Sequence, residues 1–156
     1  MPVPDDPLLS AWHAVNCLRE WRGDTHMALL VAAGLGPVEA SLLHSAWVRY
    51  PDNWVAQSRM WNESEITAGF ESLARRGLAT TEPAVTAQGV ELRQAIEDQT
   101  NELTVAPWQR LGEELSQQVA DVLEPPCVTL LARVDETAGP RYQPASRLHA
   151  PWPRPA

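Results

Sequence analysis

The chain has 156 residues, enough for one domain with a real hydrophobic core, and no apolar run of about 18 residues that would read as a membrane-crossing helix. Its formal net charge of -8 is the opposite of the basic stripe with which a duplex-binding module neutralises phosphates. All 12 basic residues are arginine, which removes Schiff-base, P-loop and general-base lysines, and Cys17 and Cys127 form no C-x-x-C pair, so no zinc ribbon or disulfide framework is indicated.

The opening Met1-Pro2-Val3-Pro4-Asp5-Asp6-Pro7 lacks the basic region and apolar core of a secretory signal, and a soluble cytoplasmic protein is expected. Asp5 or Asp6 is placed to cap a long helix from Pro7 to about Ala33. Its apolar residues, Leu8, Trp12, Val15, Leu18, Trp21, Leu29, Leu30 and Val31, surround most of the circumference, the pattern of a helix buried on several sides. Gly34-Leu35-Gly36-Pro37 ends it, and a second helix runs from Val38 to about Arg49. A short third helix is expected over Trp54 to Met60. Asn62 then caps a fourth that reaches Arg76, with Glu65 completing a capping box and Gly77 ending it. Leu78 to Thr86 has room for two very short strands and a tight turn. Thr86 caps a fifth helix of about twenty residues, interrupted near Ala106-Pro107, and a sixth from Leu111 to Leu123 stops before Pro125-Pro126. Residues 137–156 are rich in proline and arginine and read as a tail, leaving 1–136 as the folded domain.

This order of elements is that of a MarR-like winged helix. Residues 5–124 resemble a little-characterised actinobacterial helix-turn-helix family of MarR-like type, whose members are usually longer, with this half following another helical half. The likeness is carried by Asp6-Pro7-Leu8-Leu9, His13, Leu18-Arg19-Glu20, Arg22-Gly23-Asp24-x-His26, Gly34-Leu35, Glu39-Ala40 and Leu43-His44. It continues through Trp61-x-x-Ser64-Glu65, Arg76-Gly77-Leu78, Thr86-x-x-Gly89, Leu92-Arg93, Ile96-Glu97-x-x-Thr100 and Pro107-Trp108-x-x-Leu111-Gly112. The chain departs from the pattern at Asn101, where aspartate is expected. The resemblance implies a mainly α fold with a very short β-hairpin wing, long terminal helices, and a cavity between those helices and the winged helix. It also implies a setting in bacterial secondary metabolism, such as antibiotic biosynthesis.

The elements that would touch DNA have the wrong charge. The candidate recognition helix opens Asn62-Glu63-Ser64-Glu65 and keeps Arg75 and Arg76 for its far end, whereas bases are contacted chiefly by the first half of such a helix. The interval from Ala79 to Val85 has no arginine. Specific DNA binding is therefore not expected.

The first helix instead carries polar chemistry. At 100° per residue, His13, Cys17, Glu20 and Asp24 fall at roughly 0°, 40°, -20° and 20°, one stripe able to meet a common ligand. Arg19, Arg22 and His26 lie opposite, where arginine forks suit a carboxylate or phosphate. These charges could equally be ion pairs that fix helix packing, with Glu20 and Asp24 answered by Arg19, Arg22 or Arg93. Gly23, costly in a helix interior, suggests close packing or a kink. His44 is placed to turn toward the same cavity, and Trp12, Trp21 and Trp47 suit the walls of an aromatic pocket.

The expectation is a small-molecule protein that has lost DNA binding, acting as a cofactor-independent acid–base enzyme for cyclisation, isomerisation or dehydration. His13, Asp24 and His26 would handle protons, Glu20 would tune them, and Arg19, Arg22, His44, Cys17 and the three tryptophans would hold an apolar or aromatic organic ligand. No metal or cofactor is expected. The alternatives are a ligand-responsive MarR-type regulator, dimeric through its terminal helices, and a non-catalytic binding protein.

Overall fold

The computed structural model describes residues 3–138, and the two residues before them and 139–156 lie outside that range. Among the described residues there are seven helices: α1 Pro7–Ala32, α2 Pro37–Trp47, α3 Trp54–Ser58, α4 Glu63–Arg75, α5 Ala87–Thr104, α6 Ala106–Leu111 and α7 Glu113–Ala138, with a 3-10 turn at Pro51–Asn53. The chain divides into two compact units, one ending at Thr104 and one beginning at Val105. No single helix among the described residues is long and apolar enough to cross a membrane.

Local chemistry sets the limits of the first unit's helices. The Asp6 carboxylate accepts the Leu8 and Leu9 N–H groups at 3.0 Å each, which caps α1 as expected. Gly34, at φ 67°, reverses the chain after α1, and Leu35 N–H returns to the Leu30 carbonyl at 3.0 Å as the Leu35 side chain enters the core. Arg76 then clasps this end from a distance: its guanidinium donates to the Ala33 and Gly34 carbonyls at 2.8 and 2.9 Å. The Asn62–Glu65 capping box opens α4, with both bonds made. Thr86 accepts Gly89 N–H at 3.2 Å and donates to the Gly77 carbonyl at 2.8 Å, so one hydroxyl caps α5 and ties it to the end of α4.

The core of this unit centres on α2. Leu42 and Leu43 are fully buried and pack with Leu30, Leu35, Ala56, Phe70, Leu73, Leu78 and Ile96. α2 contacts α3, α4 and α5, while α1 packs on α5.

Four expectations change. In place of the expected hairpin wing there is a single antiparallel bridge, Ala79 to Val85, and no strand forms among the described residues, because Glu82-Pro83 spends the short interval on a turn. α1 is not buried on several sides: Leu30 alone is buried, and Leu8, Trp12 and Val31 are largely exposed, because the helix meets α5 along one side only. The last helix does not stop before Pro125-Pro126 but runs through them to Ala138. Those prolines remove two N–H donors, yet no glycine occurs between Gly112 and position 139 to turn the chain, and apolar helix formers continue on both sides. Only the first two residues of the expected tail, which end α7, are described. Fourth, nothing packs against Gly23.

Gly89 is the opposite case. A Cβ there would clash with the Leu78 carbonyl and lie 2.7 Å from Val85 Cγ1, so its hydrogen lets α5 seat on the Leu78–Val85 turn. Gly89→Ala should therefore cost about 1–3 kcal/mol in overpacking. Gly23→Ala should stabilise the fold by about 0.5–1 kcal/mol through helix propensity. Urea denaturation of the two variants beside the parent checks both signs.

Candidate functional site

Positions four apart on a helix share a face, and three such faces converge in the first unit. Arg22, His26 and Leu30 come from α1, Ala40, His44 and Trp47 from α2, and Arg93 and Glu97 from α5. With Met27 and with Arg59, which follows α3, they line a cavity of about 340 Å³. A larger, more open hollow of about 550 Å³ lies between α4 and the turn at residues 80–83, lined by Thr67, Phe70, Glu71, Arg75 and Pro83. It holds none of the buried unpaired polar atoms found among the described residues, and the smaller cavity holds one.

That cavity is organised around a chain of ion pairs. Arg93 is 4% exposed, and its Nη2 donates to Glu97 Oε2 at 2.8 Å and to His44 Nδ1 at 3.3 Å. Its guanidinium carbon sits 4.5 Å from the centre of the Trp47 ring, a cation–π contact. Trp47 is held in turn by its Nε1–H bond to Gln94 at 2.8 Å. The other oxygen of Glu97 pairs with Arg22, which also donates to Asn101 Oδ1 at 2.9 Å. Arg93 Nη1 is buried and has no partner.

The two histidines are fixed in opposite tautomers. The Thr100 hydroxyl gives its one proton to the Ile96 carbonyl at 2.7 Å, so its 3.0 Å contact with His26 Nδ1 requires His26 to donate. In neutral His26 the lone pair is therefore on Nε2. His44 Nδ1 faces an arginine, which can only donate, so neutral His44 carries its proton on Nε2.

Burial, reinforced by Arg93, lowers the pKa of His26 despite the opposing charge of Glu97. Burial, then Arg93 and Arg59, lowers that of His44 to about 4. Burial works to raise Glu97, but its bond to Arg93 and the charges of Arg93 and Arg22 outweigh this and hold its carboxyl below the ordinary value. At neutral pH, three guanidiniums thus face one carboxylate and two neutral imidazoles.

The expected site residues separate into two groups. Arg22, His26, His44 and Trp47 come together at the cavity. His13, Cys17, Glu20 and Asp24 project about half a turn of α1 away from Arg22 and do not line it. Within that stripe, Cys17 Sγ lies 3.7 Å from His13 Nε2, and Glu20 pairs with its exposed neighbour Arg19. Trp12 and Trp21 are exposed, so one tryptophan, not three, walls the cavity. Glu20 and Asp24 do not answer Arg22 or Arg93; Glu97 does. Arg93, Glu97 and Arg59 were not among the expected site residues. Arg93, Glu97 and Thr100 fall at i, i+4 and i+7 on α5, and that polar stripe could have revealed two of them.

The pKa of His44 gives stability a pH dependence. Between pH about 6.5 and about 4 the unfolded chain binds a proton on this imidazole that the folded chain refuses. The contribution is complete above that window and falls through it by at most about 3 kcal/mol. Glu97 acts in the same direction, its contribution being lost as acid protonates it. His44→Asn, which keeps an acceptor for Arg93 without a titrating ring, should flatten the decline above pH 4, as read from urea midpoints across the range.

α3 and α4 are joined by a turn through Arg59–Asn62. α4 presents Glu63, Ser64, Thr67, Ala68 and Glu71 on its exposed side, with Arg75 at its end and Arg76 engaged with the end of α1. No curated protein and no solved structure matches the chain. A family model described as a helix-turn-helix family matches residues 1–136, most of the sequence, and the chain belongs to that family.

Proposed function

We propose that the chain uses its helix-turn-helix fold as a scaffold for binding a small organic molecule in the α1–α2–α5 cavity, and that it does not read duplex DNA. The observation that carries this reading is a 340 Å³ space kept among six ionisable side chains. Packing alone would favour apolar residues there, since desolvating charge is costly unless it is fully paired. The volume falls at the small end of ligand pockets, roughly 300–1,000 Å³. On the helix-turn-helix, Glu63 and Glu71 would face phosphates, and Arg76 is occupied elsewhere.

A catalytic reading, acid–base chemistry without a cofactor, is favoured by one further observation. His26 keeps an Nε2 lone pair at neutral pH beside a cavity whose positive charge would stabilise an oxyanion. His13, Glu20 and Asp24 have no part in this reading because they lie on another face of α1.

Two measurements test the proposal. Fluorescence polarisation with 30-base-pair duplexes, including the gene's own upstream region, should give no binding tighter than about 10⁻⁵ M at physiological salt. Native mass spectrometry of the purified chain should show a retained small molecule or one taken up from a metabolite mixture. A salt-resistant nanomolar complex with one operator would replace this reading with that of a regulator.

A further inference from the structure

Resting on that reading, we propose that the occupant is an amphipathic organic carboxylate, with one carboxylate oxygen on Arg93 Nη1 and its apolar part against Met27 and Leu30. Arg93 Nη1 is the one buried donor of the cavity without a partner, on a side chain 4% exposed. Leaving such a donor unmade costs about 1–3 kcal/mol, more for a charged group, so a site that keeps it is built for an acceptor.

Among the described residues no acceptor meets Nη1. Glu97 already holds Arg93 with one oxygen and Arg22 with the other. Ser41 gives its proton to the Pro37 carbonyl at 2.7 Å and accepts from Arg59 at 2.9 Å, so it anchors Arg59 at the cavity without neutralising it. Three cations against one anion leave the cavity positive on a chain whose net charge is -8. An anion is therefore drawn to this place and repelled from most of the surface.

The geometry selects among anions. Arg93 Nη2 is taken by Glu97 and His44, so Nη1 is left to meet a single oxygen of an anion, and the neutral His44 ring that lines the same cavity carries its proton on Nε2; a carboxylate, with two oxygens and one charge, suffices for that set. A phosphate would bring more oxygen acceptors and a larger hydration cost to a space lined in part by Met27, Leu30 and Ala40. His26 Nε2, an acceptor, adds preference for a carboxylic acid with a hydroxyl group.

The test uses the full chain and three carboxylates, hexanoate, phenylacetate and mandelate, each beside its neutral amide. Calorimetric titration should show at least one carboxylate binding ten-fold or more tighter than its amide, and inorganic phosphate should not displace it. Arg93→Gln should abolish that preference; because this variant disturbs a buried ion pair, Arg59→Gln is the second, on an exposed side chain. It should stay folded and weaken the carboxylate several-fold while leaving the amide unchanged. Amides binding as well as acids would overturn the anion assignment and leave the cavity reading standing. Displacement by phosphate at equal concentration would overturn the carboxylate in favour of a phosphate class. If neither acids nor amides bind, the inference fails. If the native mass spectrum is also empty, the cavity reading fails with it.

Discussion

Glu97 lies between two arginines from different helices. Arg93 reaches it from four residues away on α5, and Arg22 reaches it across the packing of α1 against α5. One carboxylate thus does two things: it joins the helices that wall the cavity, and it holds two guanidiniums close together against their mutual repulsion. Removing it would leave the positive charges uncompensated in a half-buried place, so packing and electrostatics at this site are a single property.

The rest of the cavity follows from that pairing. With Arg93 drawn toward Glu97, its Nη2 also meets His44, its face covers Trp47, and Nη1 is left over. The His44 tautomer is a consequence of this, while its low pKa comes first from burial and then from the charges of Arg93 and Arg59. His26 is fixed independently by Thr100, whose hydroxyl has already spent its proton within α5. The polar groups therefore present a set hydrogen-bonding pattern before any solute arrives, which lowers the ordering cost of binding.

Much of the first unit was legible in the sequence because its helix ends are marked by local chemistry. Asp6, Asn62 with Glu65, Thr86, Gly34 and Gly77 each act within a turn or two of their own position. The site was legible only in part. Helical spacing grouped His13 with Asp24 on one face and Arg22 with His26 on another, but it could not say which face meets α5. The packing answered by turning the His13 stripe outward. Spacing also could not show that a carboxylate 75 residues further along the chain would reach Arg22. Pro125-Pro126 misled because local stop signals act only where the chain has somewhere else to go, and no glycine follows to let it turn.

Trp47 gives the cavity a spectroscopic consequence. Its indole is buried, lies beneath the Arg93 guanidinium and is fixed by a hydrogen bond, whereas Trp12, Trp21 and Trp108 are exposed. A solute that shifts Arg93 changes the electric field at the one indole it covers, while the exposed indoles go on reporting bulk water. A change on the blue side of the emission band, where Trp47 emits together with the half-buried Trp54 and Trp61, is thus a label-free sign of cavity occupancy, and Trp47→Phe, by removing it, assigns the change to this indole.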